Sequence, residues 1–438
     1  MTTLIVRGPA RLSGSASLPP DKSILHRALI FAALGRGASL VAAPIRGADN
    51  LATLRALKAL GVEVHEAPDG VHVHGVEHPR KLTAPTAPID CANSGTTLRI
   101  LAGVLAGADG RFTLDGDASL RRRPMERLRP LETMGARLQT NKGPLQVPLT
   151  IEGAPLTGHT HVLEIASAQV KSALLLAGAF ADGPTTVIEP RPSRDHTERL
   201  LEGLGVTLER PDMHTTTIEP VREPWAAERY DVPPDFSAAA FLITAAVLTN
   251  RPELLVDTGV NPSRTGLLDV LVQMGAVLAL DPSADVSFEP TARVGVSDLF
   301  GGRLTATRVD GDTLLRAIDE VPLIGALATQ AHGETTIADA AELRHKESDR
   351  LTETVALLRA FGADADETED GFVVRGPARL SGAKIPASQD HRIAMTAAVL
   401  ALTADGTTEI EGFEVADVSY PGFVDALRTL GADVETAT

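Results

Sequence analysis

Lys22, Ser23 and Arg27 have the residue types and spacing of an anion site. Ser23 and Arg27 are four residues apart, so on a helix they share one face, with Lys22 at its mouth. Five other stretches set polar or charged residues at the opening of an apolar run. They are Asn93-Ser94-Gly95-Thr96-Thr97-Leu98-Arg99, Ser167-Ala168-Gln169-Val170-Lys171-Ser172, Asp235-Phe236-Ser237, Asp319-Glu320-Val321-Pro322 and Asp390-His391-Arg392. A helix N-terminus presents unpaired N–H groups and about half a positive charge, which suits phosphate or carboxylate ligands. The plainer use of Ser, Asn and Asp at such places is to cap the helix, and this is the expectation for Asp235 and Ser237.

An internal repeat supplies the elements that hold these openings. Six segments end in a bulky apolar residue followed by Gly61, Gly135, Gly205, Gly275, Gly362 or Gly431, at steps of 74, 70, 70, 87 and 69 residues. Upstream, Gly37, Gly110, Gly183, Arg251, Gly333 and Gly406 are read as ends of the Ala-rich helices, each followed by a strand-like run. One unit therefore reads as apolar helix, strand, amphipathic helix, Gly, strand, turn, strand. Runs such as 238–248 and 393–402 are apolar nearly all round and predict buried helices, which 51–60 and its equivalents would cover. The stretch Val6 to Gly14 recurs letter for letter as Val374 to Gly382, so the first strand reads as the closing strand of a late unit. Two lobes of three repeats follow, one over 21–234 and the other over 1–20 plus 235–438, with hinge crossings near 18–21 and 232–235.

Composition removes several function classes. The chain has 438 residues, a net charge of −16 and only 3% aromatic residues, so it offers no basic face or stacking platform for nucleic acid. No apolar run approaches the ~18 residues of a membrane span. The opening residues lack the charged and apolar regions of a signal peptide. Cys91 is the only cysteine, which leaves no internal disulfide and no Cys-based metal site. A cytoplasmic setting is expected. His65, His72, His74 and His78 are read as an exposed strand rather than a metal site, and Cys91 as a small buried residue.

The run Leu18 to Ala28, containing Asp21-Lys22-Ser23-Ile24-Leu25-His26-Arg27, resembles the opening signature of the EPSP synthases of the enolpyruvyl transferase family. The resemblance continues in order. Asn93 to Arg99 is similar to the family's glycine loop, and Leu120-Arg121-Arg122-Arg123-Pro124-Met125 to its arginine loop. Ser167-Ala168-Gln169, Ser193 to Thr197, Asp319 to Pro322, Leu343 to Leu351 and Asp390 to Met395 match further signatures. It implies an α/β (α+β) fold, a two-lobed inside-out α/β barrel built from six βαβαββ repeats, three per lobe. It implies transfer of the enolpyruvyl (carboxyvinyl) group of phosphoenolpyruvate to the 5-hydroxyl of shikimate 3-phosphate, in the shikimate pathway to chorismate and the aromatic amino acids.

By the same resemblance, Asp319, Glu347 and Lys22 would be catalytic. Lys22, Ser23, Arg27, Ser167, Gln169, Arg194, Asp319 and Lys346 would hold shikimate 3-phosphate. Lys22, Gly95, Arg123, Gln169, Arg350 and Arg392 would hold phosphoenolpyruvate, with Lys346 and Arg350 read as i,i+4 neighbours on one helix face. Arg121 and Arg122 are read as surface charges. No cofactor, metal, nucleic acid or membrane is called for; a monomer and inhibition by glyphosate are expected. Two positions depart from the family's pattern: Val418 stands where many members carry Lys, and Ala168 where they carry Ser. The rival readings are the sister transfer to a UDP-aminosugar (UDP-N-acetylglucosamine) and a catalytically dead scaffold that binds a phosphometabolite. The sister family's mobile-loop cysteine is missing from 117–123.

Two short crossings between lobes that share the anion-binding residues predict domain closure on binding shikimate 3-phosphate. Small-angle scattering with and without that ligand should give distinct profiles; identical ones would contradict the hinge.

Overall fold

In a computed structural model of the chain, which describes residues 2–141, 143–251 and 254–437, two compact units are present. The first comprises 20–233 with 286–289, the second 1–19, 234–285 and 290–438. Residues 286–289 depart from the ranges expected from sequence, and long-range contacts explain why. The turn Ser287-Phe288 has left-handed φ values of 43° and 73°. Asp231 N donates to Ser287 Oγ at 2.8 Å, and His196 Nδ1 lies 2.7 Å from Glu289 Oε1, with His196 and Glu289 both buried.

Each unit is built on three buried helices. In the first these are α1 (Lys22–Leu34), α2 (Gly95–Ala106) and α3 (Ala168–Ala179). In the second they are α4 (Phe236–Leu248), α5 (Val321–Ala328) and α6 (His391–Ala401). Every residue of α5 and α6 is buried, as their all-round apolar sequences require. The helix Ala48–Ala59 is two-faced by contrast: it buries Ala52, Leu54, Ala56 and Leu57 and exposes Arg55, Lys58 and Ala59.

After each buried helix comes a small sheet. In the first repeat Arg36–Ala42 pairs antiparallel with Gly70–Val76, which pairs with Glu63–Ala67, while Arg229–Asp231 lies parallel on the outer edge. Among the described residues, five of the six sheets have four such strands and the sheet around Thr291–Leu299 has three. The last sheet is completed by the start of the chain: Thr3–Gly8 lies between Gly406–Ile410 and Asp433–Ala437, with Leu4 opposite Ile410 and Val6 opposite Val434. Its counterpart in the preceding sheet is Phe372–Gly376, which carries the duplicated Val-Arg-Gly.

All six repeat-marking glycines have positive φ, between 80° and 119°, the left-handed residue that ends a helix and that a side chain would strain. Gly37, Gly333 and Gly406, expected just past the buried helices, instead lie within the first two residues of the strands, also at positive φ. Strand pairing rather than helix capping places them there.

Gly103 on α2 marks where two buried helices touch through their backbones. A Cβ added there would lie 2.1 Å from the Ala173 carbonyl oxygen on α3. Alanine is the better helix former by ~1 kcal/mol, but overpacking a core costs about 1–3 kcal/mol, and a backbone carbonyl cannot rotate away. Gly103→Ala should therefore lower the melting temperature by several degrees; an unchanged or higher value would contradict this packing.

Candidate active site

In the first unit the candidate side chains gather at the N-terminal ends of α1, α2 and α3. Asp21 caps α1 by accepting from Ile24 N at 3.0 Å. Lys22, the first helical residue, is fixed from the neighbouring helix: its Nζ lies 3.0 Å from Asp49 Oδ2, and Asn50 Nδ2 donates to its carbonyl at 3.0 Å. Arg27 is 3% exposed and donates to Thr197 Oγ1, Ser23 O and Ser172 Oγ at 2.7, 2.9 and 2.8 Å. Burial pushes its guanidinium down to about 10, against the raising charges of Glu198, Asp21 and Glu289, so it stays charged at neutral pH. Arg194 adds a like charge that also lowers it, and an anion between the two would relieve that repulsion.

The glycine loop sits on α2. Ser94 caps the helix by accepting from Thr97 N at 3.1 Å. A side chain at Gly95 would meet Arg99 Nη1 at 2.9 Å and Arg123 Nη1 at 3.2 Å, so two guanidinium groups face the space a side chain would fill. Arg123 is buried and donates to Asn93 Oδ1 and, at 3.4 Å, to Ser119 Oγ. Arg99 donates to Gln169 Oε1 at 2.6 Å, and Gln169 Nε2 donates to Thr96 Oγ1 at 2.9 Å, joining α3 to the loop. Ser167 caps α3 through Val170 N at 3.4 Å. A buried chain of short contacts, His26 Nδ1 to Thr53 Oγ1 to Thr97 Oγ1 to Ser94 Oγ, ties α1 to the same loop. Burial, then the charges of Lys22 and Arg27, hold His26 well below its ordinary value, so this link is uncharged at neutral pH.

In the second unit one guanidinium is the hub. Arg350, 2% exposed, donates through Nε to Asp390 Oδ2 at 2.7 Å, through Nη1 to Asp319 Oδ1 at 3.3 Å and through Nη2 to Glu347 Oε2 at 2.5 Å. Burial alone would lower its pKa, but Asp390, Glu347 and Asp319 outweigh burial and raise it. Arg392 donates to the Asp319 carbonyl at 3.1 Å and lies 3.6 Å from Asp319 Oδ2 and 3.7 Å from Glu320 Oε1. Glu320, fully buried, accepts from Ser237 Oγ at 2.5 Å, and Ser237 accepts from Arg264 at 2.9 Å. Asp235 caps α4, as a plain cap would, and Arg264 reaches it at 3.3 Å. Ser237, expected to be a cap, belongs instead to this polar network.

Lys346 does not share a helix face with Arg350. Asp349 starts the helix Arg350–Ala360 by capping Thr352 N, and Lys346 lies before it with extended backbone, its Nζ 3.4 Å from Glu342 Oε1. Arg121 is exposed and paired with Asp115, and Arg122 is exposed. Asn93, Arg99, Glu320 and Asp390 lie inside stretches named from sequence but carry no site role there, and Asp49 and Asn50 are not named at all. Arg99 carried a usable signal, four residues after Gly95 on the same helix, whereas Asp49 and Asn50 are 27 and 28 residues from Lys22 and carried none. Among the described residues no three His, Cys, Asp or Glu side chains are placed to hold a metal ion, and no helix is long and apolar enough to cross a membrane.

Comparison with known proteins places this arrangement. Over residues 6–427 the chain matches the family described as EPSP synthase (3-phosphoshikimate 1-carboxyvinyltransferase). It is 45% identical over 96% of its length to the 3-phosphoshikimate 1-carboxyvinyltransferase of Desulforudis audaxviator (strain MP104C), covering 98% of that protein. To that of Anaeromyxobacter sp. (strain Fw109-5) it is 47% identical, with 97% of each chain covered. The solved EPSP synthase of Acinetobacter baumannii superposes with a TM-score of 0.85 at 36% identity, covering all of both chains. The enolpyruvyl transferase NikO of Streptomyces tendae, at 20% identity and a TM-score of 0.79 over 100% of this chain and 99% of that one, shares the fold. With a match that spans nearly the whole of its length, the chain belongs to the EPSP synthase (3-phosphoshikimate 1-carboxyvinyltransferase) family.

Proposed function

We propose that the chain is a transferase that moves the enolpyruvyl group of phosphoenolpyruvate to the 5-hydroxyl of shikimate 3-phosphate, releasing phosphate, on the route to chorismate and the aromatic amino acids. Family membership supports the reaction. The observation that carries the mechanism is Arg350, which touches Asp319 and Glu347 at once. The proposed anion receptor is thus within hydrogen-bond reach of both proposed proton-transfer groups.

The reaction needs a proton taken from the 5-hydroxyl as its oxygen adds to C2 of phosphoenolpyruvate, and a proton delivered to C3. Loss of phosphate from C2 with removal of a C3 proton then restores the double bond. Asp319 takes the hydroxyl proton, and Lys22 and Glu347 serve the remaining transfers. Phosphoenolpyruvate is bound by Lys22, Gly95, Arg123, Gln169, Arg350 and Arg392, the arginine forks suiting its carboxylate and phosphate. Its arrival on Arg350 competes with Glu347 and Asp319 for N–H donors and so frees those carboxylates for proton transfer. Shikimate 3-phosphate is bound by Lys22, Ser23, Arg27, Ser167, Gln169, Arg194, Asp319 and Lys346. A cytoplasmic monomer is the proposed setting, and the single, buried cysteine fits the reducing cytoplasm.

Phosphate release from phosphoenolpyruvate should require shikimate 3-phosphate; release with a UDP-aminosugar instead would turn the reading to the sister reaction. Asp319→Asn and Glu347→Gln should each lower kcat by roughly 10²–10⁴-fold, the range for a lost general acid or base. Wild-type turnover in either variant would remove that residue from the mechanism.

Glyphosate should inhibit in competition with phosphoenolpyruvate, because Gly95 leaves open the space that Arg99 and Arg123 face. Undiminished turnover at saturating glyphosate would reject this, and Val418 in place of the family's lysine would be the first position to examine.

A further inference from the structure

Behind the N-terminal end of α3 lies a charged cluster that the mechanism does not use. Lys171 Nζ is 2.7 Å from Glu189 Oε2 and 2.7 Å from Glu198 Oε1, and the three side chains are 5%, 2% and 1% exposed. Burial alone would lower the lysine, but Glu198 and Glu189 outweigh it and raise it, so it is charged across the physiological range. Such clusters are poor sources of stability: desolvation costs several kcal/mol per ion, and well-packed apolar residues of the same volume often do as well or better. A cluster of this kind needs a use that apolar side chains could not serve.

Its hydrogen bonds supply one. Glu189 Oε1 accepts from Ser167 N at 3.3 Å, and Glu189 Oε2 accepts from Ser193 N at 3.5 Å. Lys171 Nζ also donates to the Ser193 carbonyl at 3.4 Å. One carboxylate therefore spans the cap residue of α3 and the residue before Arg194, and one ammonium holds that carboxylate. Among the described residues the Glu198 carboxylate hydrogen-bonds to neither segment; it anchors Lys171 from the helix His196–Gly203. The neighbouring residue on each helix, Ser172 after Lys171 and Thr197 before Glu198, continues the link, since Ser172 Oγ and Thr197 Oγ1 are 2.6 Å apart and both accept from Arg27.

We propose that Glu189, held by Lys171, is a positioning residue that fixes the spacing of Ser167, Arg194 and Arg27 and thereby sets affinity for shikimate 3-phosphate. This rests on the shikimate 3-phosphate reading above and deepens it. Neither residue touches substrate in this scheme. A carboxylate spans both segments because each of its oxygens accepts, whereas an amide has only one accepting oxygen.

The test is Kd for shikimate 3-phosphate by calorimetry, KM and kcat with both substrates, and melting temperature, for wild type, Glu189→Gln, Lys171→Met and Glu198→Gln. Glu189→Gln should raise the shikimate 3-phosphate Kd by about tenfold, the size of one lost charged hydrogen bond, while the KM for phosphoenolpyruvate changes far less. Lys171→Met should move affinity in the same direction with a larger loss of melting temperature, and Glu198→Gln should raise Kd less than Glu189→Gln at a similar loss of stability. The inference is overturned if Glu189→Gln binds shikimate 3-phosphate as the wild type does. It is equally overturned if Kd simply tracks melting temperature across the three variants. A wild type that neither binds nor uses shikimate 3-phosphate would sink the functional reading itself, a result distinct from either of those.

Discussion

A helix that is apolar on every side has only its ends to offer to polar chemistry, and this constraint organises the molecule. α5 and α6 bury every residue and α4 all but one. Lys22, Gly95, Asp319 and Arg392 accordingly lie within about a turn of a buried helix N-terminus, where the first N–H groups lack helical partners. The amphipathic helices cover the flanks, the small sheets close over them, and the N-terminal openings remain as the places where charge can be held. Repeating the unit multiplies those openings without demanding a new scaffold for each.

Holding charge there has to be balanced locally. Arg350 is nearly inaccessible and still contacts three carboxylates, and Arg392 reaches two acidic side chains beside it. Lys22 is matched by Asp49. In the first unit His26 contributes neutrality instead, passing a hydrogen-bond chain between two cationic helix ends without adding charge. The pairings keep buried cations satisfied, and on the proposed function an anionic substrate has to compete with those carboxylates.

The repeat, the buried helices and most of the helix openings were legible in the sequence because each is a local signal. A glycine at positive φ after an apolar residue, an Asp or Ser cap and an all-apolar run are written within a dozen residues. What could not be read depends on contacts distant along the chain. Residues 286–289 join the first unit through Asp231 and His196, and nothing in that tetrapeptide indicates it. Asp49 matches Lys22 from a different helix. Lys346 was misplaced because four-residue spacing implies a shared face only inside one helix, and Asp349 begins a new one between Lys346 and its supposed partner. The residue types at the site were visible early, whereas their partners required three-dimensional placement.

The closing of the last sheet by the first strand has a consequence for how the chain is made. Thr3–Gly8 leaves the ribosome before the first unit, yet both of its neighbours, Gly406–Ile410 and Asp433–Ala437, follow only after that unit. The first unit can complete its three sheets, apart from the 286–289 insert, while translation continues, but the opening strand has to wait with unpaired edges for most of synthesis. Thr3 finally lies opposite Ala437, so segments very distant along the chain are neighbours in one sheet. A permuted chain in which this strand is encoded beside Asp433–Ala437 would let the strand and its neighbours emerge together.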